Sequence, residues 1–416
     1  MLPSGLRVVT EHMPASRTFS VGCYVGVGSR HETDELHGAS HFLEHVLFKG
    51  TDRRSAEDIS SAIESVGGDI NAYTTKEYTC FYARVLEGDA DLAVDVLGDM
   101  LTASSVQSHE VDAERAVILD EIAMHADDPG EVVQELVTSA LFGDTGLGRV
   151  VIGSVESISA LSRDQIVEHW QRHYRPESLV VSAAGSVDHD RLVEQLAVFE
   201  PQAPAAVLSP PAATATADEG AVVSVRKSLE QCSAALALPS PGLFDDDRYA
   251  LSLLSLVLGG GMSSRLFLEV RERRGLAYGI DADDIAYADA GLWSVDWQCA
   301  PDKLPEILRV VRQVLTDVAQ DGVSETELAR VKGQMRGQTV LSLEGPSSRM
   351  SRLGVNALSF DDRTLAELLE RYDAVTPAEL QGQAQALFAR APVLGVVGPR
   401  VPRRMLESVL KDWVQG

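Results

Sequence analysis

The chain has the same order of strand-like and helix-like segments twice, on either side of a stretch rich in Pro and Ala at residues 200–217. A chain of 416 residues is too long for one ordinary hydrophobic core and suits two domains of about 200 residues each. The Pro- and Ala-rich composition is typical of a semi-rigid linker. We therefore expect an N-terminal domain at 1–199, a linker at 200–217 and a related C-terminal domain at 218–416.

Local signals place individual elements within this frame. A helix is expected at 55–66, because Ser55 can cap it, Asp58 stands at its third position and two glycines follow it. Alternating apolar residues then predict strands near 69–75 and 78–86. In the second half the same reasoning predicts a strand at 276–284.

Composition narrows the class of protein and its location. The chain is 45% hydrophobic and 24% charged, as in ordinary globular proteins. No apolar run reaches the length of a membrane span, and the first residues lack the order of a secretory signal, so we expect no membrane association. The net charge of −26 argues against binding nucleic acid. The four cysteines form no C-x-x-C pair, which suits buried thiols in a reducing cytoplasm: Cys23, Cys80, Cys232 and Cys299.

The sequence at residues 41–45 is His-Phe-Leu-Glu-His. In a helix, His41 and His45 lie one turn apart and Glu44 shares their stripe. Two imidazoles at this spacing can bind one metal ion, with the carboxylate beside an open coordination position. The alternative is a pair of histidines with ordinary structural partners in the core or on the surface.

A second acidic helix is expected at 108–125. Its apolar residues form one stripe, while Glu114 and Glu121 share another face at i and i+7. A hydrolytic zinc site uses three protein ligands and leaves one position for water, so Glu121 is a candidate for the third ligand. On its own, a glutamate on an acidic helix is more often a solvated charge.

Four segments together resemble a known family. The run 36–51, LHGASHFLEHVLFKGT, is similar to the zinc signature of the pitrilysin, insulysin and mitochondrial processing peptidase family, the inverzincins. The segments 114–121 (ERAVILDE), 67–74 (GGDINAYT) and 259–278 (GGGMSSRLFLEVRERRGLAY) resemble its distal glutamate segment, its substrate-binding edge strand and a motif of its second half. The resemblance implies an α+β fold of two homologous domains, each a mostly antiparallel β-sheet packed with several helices.

The resemblance also implies a function and a set of roles. The chain would be a zinc endopeptidase with one Zn²⁺ bound by His41, His45 and Glu121. Glu44 would be the general base, and Glu114 would orient a ligand histidine or the water. The alternative for Glu114 is a plain surface charge.

Further residues are expected to bind the substrate. Asn71, Ala72 and Thr74 lie in the candidate edge strand, whose free backbone groups could pair with an extended peptide. The alternative is an ordinary strand after a Gly-Gly turn. Arg271 and Tyr278 match an Arg–Tyr pair that holds the substrate and its oxyanion in the family, although Arg271 could instead be one charge of a basic cluster.

The assembly is also expected by resemblance. In the family the metal half of one subunit faces the second half of its partner around an enclosed chamber, which implies a homodimer here. No histidine follows residue 200, so the second half has no H-x-x-E-H motif. A function from another class remains open: a proteolytically inactive scaffold subunit of a larger complex.

Overall fold

The computed structural model describes residues 1–199, 220–399 and 403–414; the expected linker at 200–217 lies outside them. The described residues form two compact units, and each unit draws on both halves of the sequence. Within the described ranges, the first unit comprises Met1–Ala123, Arg149–Pro210 and Val340–Arg363, and the second comprises Met124–Gly148, Pro211–Thr339 and Thr364–Gly416. The expected boundary divides the chain once. In the structure, Met124–Gly148 from the first half belongs to the second unit, and Val340–Arg363 from the second half belongs to the first unit.

Ten strands form two five-stranded sheets in the described residues. The strands are β1 Arg7–His12, β2 Thr18–Val25, β3 Asp69–Thr74, β4 Thr79–Leu86, β5 Leu179–Gly185, β6 Val222–Arg226, β7 Cys232–Ser240, β8 Ile280–Ala286, β9 Gly291–Cys299 and β10 Val393–Gly398. The first sheet has the order β1-β5-β2-β4-β3 and the second the order β6-β10-β7-β9-β8. Only β1 with β5 and β6 with β10 are parallel; the other pairs are antiparallel.

Sixteen α-helices accompany the sheets within the described ranges. They are α1 Ala39–Leu47, α2 Ala56–Glu64, α3 Ala90–Ala103, α4 Ser108–Asp127, α5 Pro129–Phe142, α6 Val155–Ala160, α7 Arg163–His173, α8 His189–Gln195, α9 Arg248–Leu258, α10 Arg265–Phe267, α11 Leu304–Asp321, α12 Glu325–Ser342, α13 Pro346–Leu358, α14 Leu365–Ala374, α15 Pro377–Phe388 and α16 Arg403–Val414. None of them is long and apolar enough to cross a lipid bilayer. The expectation of an α+β fold with two mostly antiparallel sheets is confirmed.

Most local expectations agree with these bounds. The expected capping box of α2 is present, because Ser55 and Asp58 exchange side-chain to backbone hydrogen bonds. The strand expected at 276–284 starts later, at Ile280. The chain turns at Gly275, whose φ is +59°, and Leu276 packs into the core before β8 begins.

One helix from each half of the sequence packs on the sheet of the other half. Helix α5 packs on β7 and β10 of the second sheet, and α13 packs on β2 and β5 of the first. Both contacts are close: a Cβ on Gly395 would lie 2.6 Å from a methyl of Val137, and a Cβ on Gly354 would lie 2.2 Å from the ring of Tyr24. Because these helices cover the second face of each sheet, β5 and β10 are buried along their whole length.

Helix α1 is fixed by its apolar face. Phe42, Leu43, Val46 and Leu47 are buried in the main core of the first unit. The opposite stripe of the helix, which holds His41, Glu44 and His45, remains partly exposed. The amphipathic pattern of the sequence therefore aims the polar residues of α1 at one surface of the unit.

Candidate metal centre

The two histidines of α1 lie side by side, as their spacing predicts. Their ring centroids are 4.8 Å apart, and both side chains are mostly buried, His41 with 12% and His45 with 22% of its side chain exposed. The i, i+4 relation on one helix is therefore enough to bring the two imidazoles to a common point.

Helix α4 supplies the third group. The Oε2 atom of Glu121 lies 3.7 Å from Nε2 of His41 and 3.4 Å from Nε2 of His45. These are the only three His, Cys, Asp or Glu side chains in the described part of the chain that converge closely enough to share an ion, with ligand atoms within 4.8 Å of one another.

This arrangement fits a zinc ion. Two ligands of a tetrahedral zinc with bonds of about 2.0–2.1 Å lie about 3.3 Å apart, close to the two separations around Glu121. The Oε2 atom of Glu121 is shielded from solvent and accepts no hydrogen bond within the described ranges. An uncompensated buried carboxylate oxygen is costly, and a cation bound between these three side chains would compensate it.

Glu114 lies behind one ligand. Its side chain is 6% exposed, and its Oε2 lies 3.0 Å from Nδ1 of His45. Because a carboxylate only accepts, Nδ1 carries the proton and the lone pair of Nε2 faces Glu121, the tautomer that a metal requires. The other carboxylate oxygen of Glu114 lies 2.7 Å from Nζ of Lys49. The contact with His45 agrees with the orienting role expected for Glu114.

Glu44 lies on the same stripe of α1, and a residue of the first sheet holds its side chain. The hydroxyl of Thr74, at the end of β3, donates a hydrogen bond of 2.6 Å to Oε2 of Glu44. Burial raises the pKa of Glu44, and the bond from Thr74 and the proximity of His45 oppose this shift. The hydroxyl of Thr74, which was expected to bind substrate, thus fixes one oxygen of Glu44 in this structure.

The strand that was expected to lie at a sheet edge, β3, is the last strand of the first sheet. β3 pairs only with β4 in the first sheet. The side chain of Asn71 is exposed, and its Oδ1 accepts a hydrogen bond of 2.8 Å from the backbone N–H of Ala72. The backbone N–H of Ala72 is therefore satisfied by the side chain of the preceding residue.

Arg271 and Tyr278 belong to the second unit. Arg271 lies in a π-helical turn, Leu268–Glu272, and its guanidinium carbon lies 4.6 Å from the ring centroid of Tyr278. Tyr278 is 85% exposed. Arg271 also lies 3.7 Å from a carboxylate oxygen of Glu272, while the neighbouring Arg273 and Arg274 pair with Glu269. Arg271 thus contacts the tyrosine expected to be its partner and one acid of the same segment.

Two polar residues near the site were not identified from the sequence. Lys49 follows His45 by one helical turn, so its spacing could have indicated its place beside Glu114. Glu32 is buried, and its carboxylate accepts backbone hydrogen bonds from the start of α1. It precedes α1 outside any periodic segment, and no local pattern connects it with the motif.

Comparisons with known proteins place this fold and its candidate metal centre in one family. The sequence profile of the insulinase family (peptidase family M16) matches residues 7–155. The profile described as the peptidase M16 inactive domain matches residues 160–335. The chain therefore belongs to the peptidase M16 family, and the expectation of a metalloprotease of this family is confirmed.

Individual relatives support the assignment along nearly the whole chain. A protein of Streptomyces coelicolor named as an uncharacterized zinc protease is 46% identical, over 96% of this chain and 88% of its own. Similarly named proteins of Mycobacterium tuberculosis and Bacillus subtilis are 43% and 34% identical, over 99% and 95% of this chain and 95% and 97% of theirs. The crystal structure of a protease from Helicobacter pylori has the same fold, with a TM-score of 0.88 at 20% identity, over 96% of this chain and 98% of that one.

Proposed function

We propose that this protein is a zinc-dependent endopeptidase that hydrolyses peptides or short unfolded polypeptides. The single observation that carries the proposal is the convergence of His41, His45 and Glu121 on one point, with Glu44 on the same helix stripe. The names of the relatives, which are zinc proteases, support zinc as the metal.

The three converging side chains would hold one Zn²⁺ per chain. When bound, zinc lowers the pKa of its water ligand to about 7 and polarises the scissile carbonyl. Glu114 keeps His45 in the tautomer that can coordinate, and Lys49 holds Glu114 in place. The supporting contacts come from α4 and from Lys49, just after the end of α1, so the ligand geometry is largely preorganised.

Glu44 would act as the general base. Thr74 fixes one of its oxygens, and the free oxygen takes the proton of the attacking water and passes it to the leaving amine.

The open edge of β3 would bind the substrate as an added strand. A peptide carbonyl takes the place of the Asn71 side chain on the N–H of Ala72, so the free protein and the complex both satisfy this donor. Backbone pairing makes few demands on the peptide sequence, and a range of peptides is therefore expected as substrates.

Arg271 and Tyr278 would bind the substrate at the metal site of a partner chain in a homodimer that encloses a chamber. Arg271 would bind a peptide carbonyl and Tyr278 would donate a hydrogen bond to the oxyanion. The family resemblance supports this assembly, and the exposed, stacked Arg–Tyr pair supports the role.

A cytoplasmic location completes the proposal. All four cysteines are free and buried thiols, which suits a reducing compartment. The net charge of −26 supports peptides, rather than nucleic acids, as the ligands.

The second candidate, an inactive scaffold subunit, has one observation in its favour. The profile that matches residues 160–335 is described as an inactive domain. The residues that carry the chemistry, however, lie on α1 and α4, inside the match to the insulinase family at 7–155. The two candidates therefore differ in a measurable property, peptide hydrolysis by the metal-loaded protein.

The decisive experiment measures cleavage of a quenched fluorescent peptide with and without phenanthroline. We expect cleavage that chelation abolishes and that Glu44→Gln reduces by about 10²–10⁴-fold, while zinc content is unchanged. Glu57→Gln, an exposed glutamate on α2, is the matched control and should retain full activity. A zinc-loaded protein that cleaves no peptide would favour the scaffold, and a fully active Glu44→Gln variant would contradict the role of Glu44.

A mixing experiment tests the shared site. Neither Arg271→Ala nor Glu44→Gln should be active alone. In a randomly exchanged mixture, half of the dimers are mixed and each has one complete site, so activity should return to about a quarter of that of the parent. No recovery after subunit exchange would show that each site is completed within one chain.

A further inference from the structure

We propose that Glu32 is a positioning residue, whose buried carboxylate holds the first turn of α1 and so keeps His41 in the orientation that binds the metal. This inference rests on the proposed function, because the property that Glu32 controls is the metal affinity of the site. Glu32 lies outside the motif, and none of the roles assigned above includes it.

The contacts of Glu32 are with the backbone at the start of α1. Its Oε2 accepts a hydrogen bond from the N–H of Gly38 and its Oε1 accepts one from the N–H of Ser40, each at 2.7 Å. The first N–H groups of a helix have no acceptor within the helix. Both oxygens of the Glu32 carboxylate therefore cap the N-terminus of α1, although Glu32 lies in a loop outside the helix.

No residue of the helix can do this itself. The N-cap position is Gly38, which has no side chain and a φ of +89°. A Cβ there would lie 2.7 Å from a methyl of Ile158 and 3.0 Å from the Cα of Gly153. The usual Ser, Thr, Asp or Asn cap is excluded by this packing, so a distant acid takes its place.

The loop that carries Glu32 is itself fixed. Arg149 donates to the backbone carbonyl of Glu32 at 2.8 Å and to Asp34 at 2.7 Å. On the other side of the turn, the hydroxyl of Ser40 lies 3.1 Å from Nε2 of the buried His169. The first turn of α1 is thus held between two polar contacts that both lie within the first unit.

The position of His41 makes it sensitive to this contact. His41 is the third residue of α1 and directly follows Ser40, so fraying of the first turn displaces its imidazole. His45 lies one turn further on and is held separately by Glu114. Loss of the Glu32 contact should therefore loosen one ligand while the rest of the site remains.

Stability alone does not account for an acid at this position. Glu32 is 4% exposed, and burial raises its pKa to about 7, so the charged form is costly to maintain. Buried charges often contribute little net stability compared with uncharged residues of similar size. The effects of Glu32 on folding and on metal binding should consequently be separable.

The test compares full-length parent, Glu32→Gln and Glu35→Gln at pH 8. Glu35 is exposed in the same stretch and serves as the matched control. Zinc affinity is measured by competition with a chromophoric chelator, and thermal unfolding is followed with and without zinc. We expect Glu32→Gln to bind zinc about 10–100-fold more weakly and to gain a smaller rise in melting temperature from zinc, with an altered Co²⁺ absorption spectrum. Glu35→Gln should match the parent.

Two results would overturn the inference. Glu32→Gln could bind zinc within twofold of the parent, or it could lose stability equally with and without zinc and keep the parent Co²⁺ spectrum, which would make Glu32 purely structural. A third variant separates geometry from charge: Glu32→Asp is one methylene too short to reach both N–H groups and should also bind weakly, so full affinity in this variant would contradict the two-bond contact. A parent protein that binds no zinc would instead contradict the proposed function.

Discussion

The two units have the same sheet topology, but only the first unit carries the candidate metal ligands. Both sheets have the same strand order and the same single parallel pair. The helix after the second strand is α1 in the first unit and α9 in the second. Helix α1 carries His41, Glu44 and His45, whereas α9 is filled with buried apolar residues such as Leu251 and Leu254. The same framework thus forms with and without metal ligands, so the fold does not depend on them.

Buried charge follows the same division. Among the described residues, the buried Arg, Asp, Glu and His side chains all lie in the first unit: Arg30, Glu32, Asp99, Glu114 and His169. The polar side chains of the second unit that are buried to the same degree are uncharged, such as Ser255 and Gln383, and Asp296 is only partly buried. Burial of ionisable groups is costly unless they are paired. Three of the five, Glu32, Glu114 and His169, contact residues of α1, the helix that carries two of the candidate metal ligands.

The largest effect should follow removal of a ligand. Structural zinc sites gain about 10–16 kcal/mol from about four ligands, so loss of one imidazole in His45→Ala should weaken zinc binding by about 10²-fold or more. Peptide cleavage should fall below detection. Circular dichroism should show an intact fold, since the second unit has the same sheet without a metal. Loss of the fold in His45→Ala would contradict the conclusion that the fold does not depend on the metal ligands.

A smaller loss is expected from the residue behind that ligand. Glu114→Gln should weaken zinc binding and activity by about 10–100-fold, because the amide no longer fixes the tautomer of His45 as the carboxylate does. Asp120→Asn changes an exposed acid on the same helix and is the control. Equal zinc affinity in both variants, measured by chelator competition, would show that the buried charge at Glu114 has no role at the site.

The exchanged helices can be tested in parallel. Gly354→Ala presses a methyl against Tyr24 in the first unit, and Gly395→Ala presses one against Val137 in the second. Each should cost about 1–3 kcal/mol of stability, measured by denaturant unfolding. Hydrogen exchange should rise in the affected unit first. Gly382→Ala in α15 meets no atom within 4 Å and should be neutral or slightly stabilising. If neither Gly354→Ala nor Gly395→Ala changed the free energy of unfolding, the close packing of α5 and α13 on their sheets would be contradicted.

A further difference between the units concerns acid. Burial lowers the pKa of His31 to about 4, of His169 to about 3 and of His173 to about 4. Free histidines titrate near about 6.5, so the unfolded chain binds more protons below that pH and the first unit loses stability between about pH 6.5 and 4. Burial raises the pKa of Glu32 to about 7, so its protonation stabilises the folded state as the pH falls. This single group offsets only part of the effect of the three histidines.

The second unit should respond in the opposite direction. Burial raises the pKa of Asp296 to about 6, so the folded state binds more protons and the unit gains stability as the pH falls towards about 4. Hydrogen exchange at pH 7 and pH 5 should therefore show protection lost in β2 and β4 and kept in β7 and β9. Equal loss in both sheets would remove this difference between the units.

The sequence predicted what depends on local spacing. The pair His41 and His45 and the capping box of α2 follow from residues within one helical turn, and both are present. The approach of Glu121 to the pair depends on packing of two helices. The number of ligands that a zinc site needs made Glu121 a candidate, and the family resemblance then implied its role. The contact of Thr74 with Glu44, the cap formed by Glu32 and the exchange of α5 and α13 depend on tertiary packing that no local pattern encodes.

The central claim is that three side chains of the first unit share one divalent cation. A crystal of the zinc-loaded protein, measured at the zinc absorption edge, tests it directly. We predict one anomalous peak per chain, within about 2.0–2.2 Å of Nε2 of His41, Nε2 of His45 and a carboxylate oxygen of Glu121. A zinc-loaded crystal with no peak there, or with the three side chains turned away from a common point, would contradict the account.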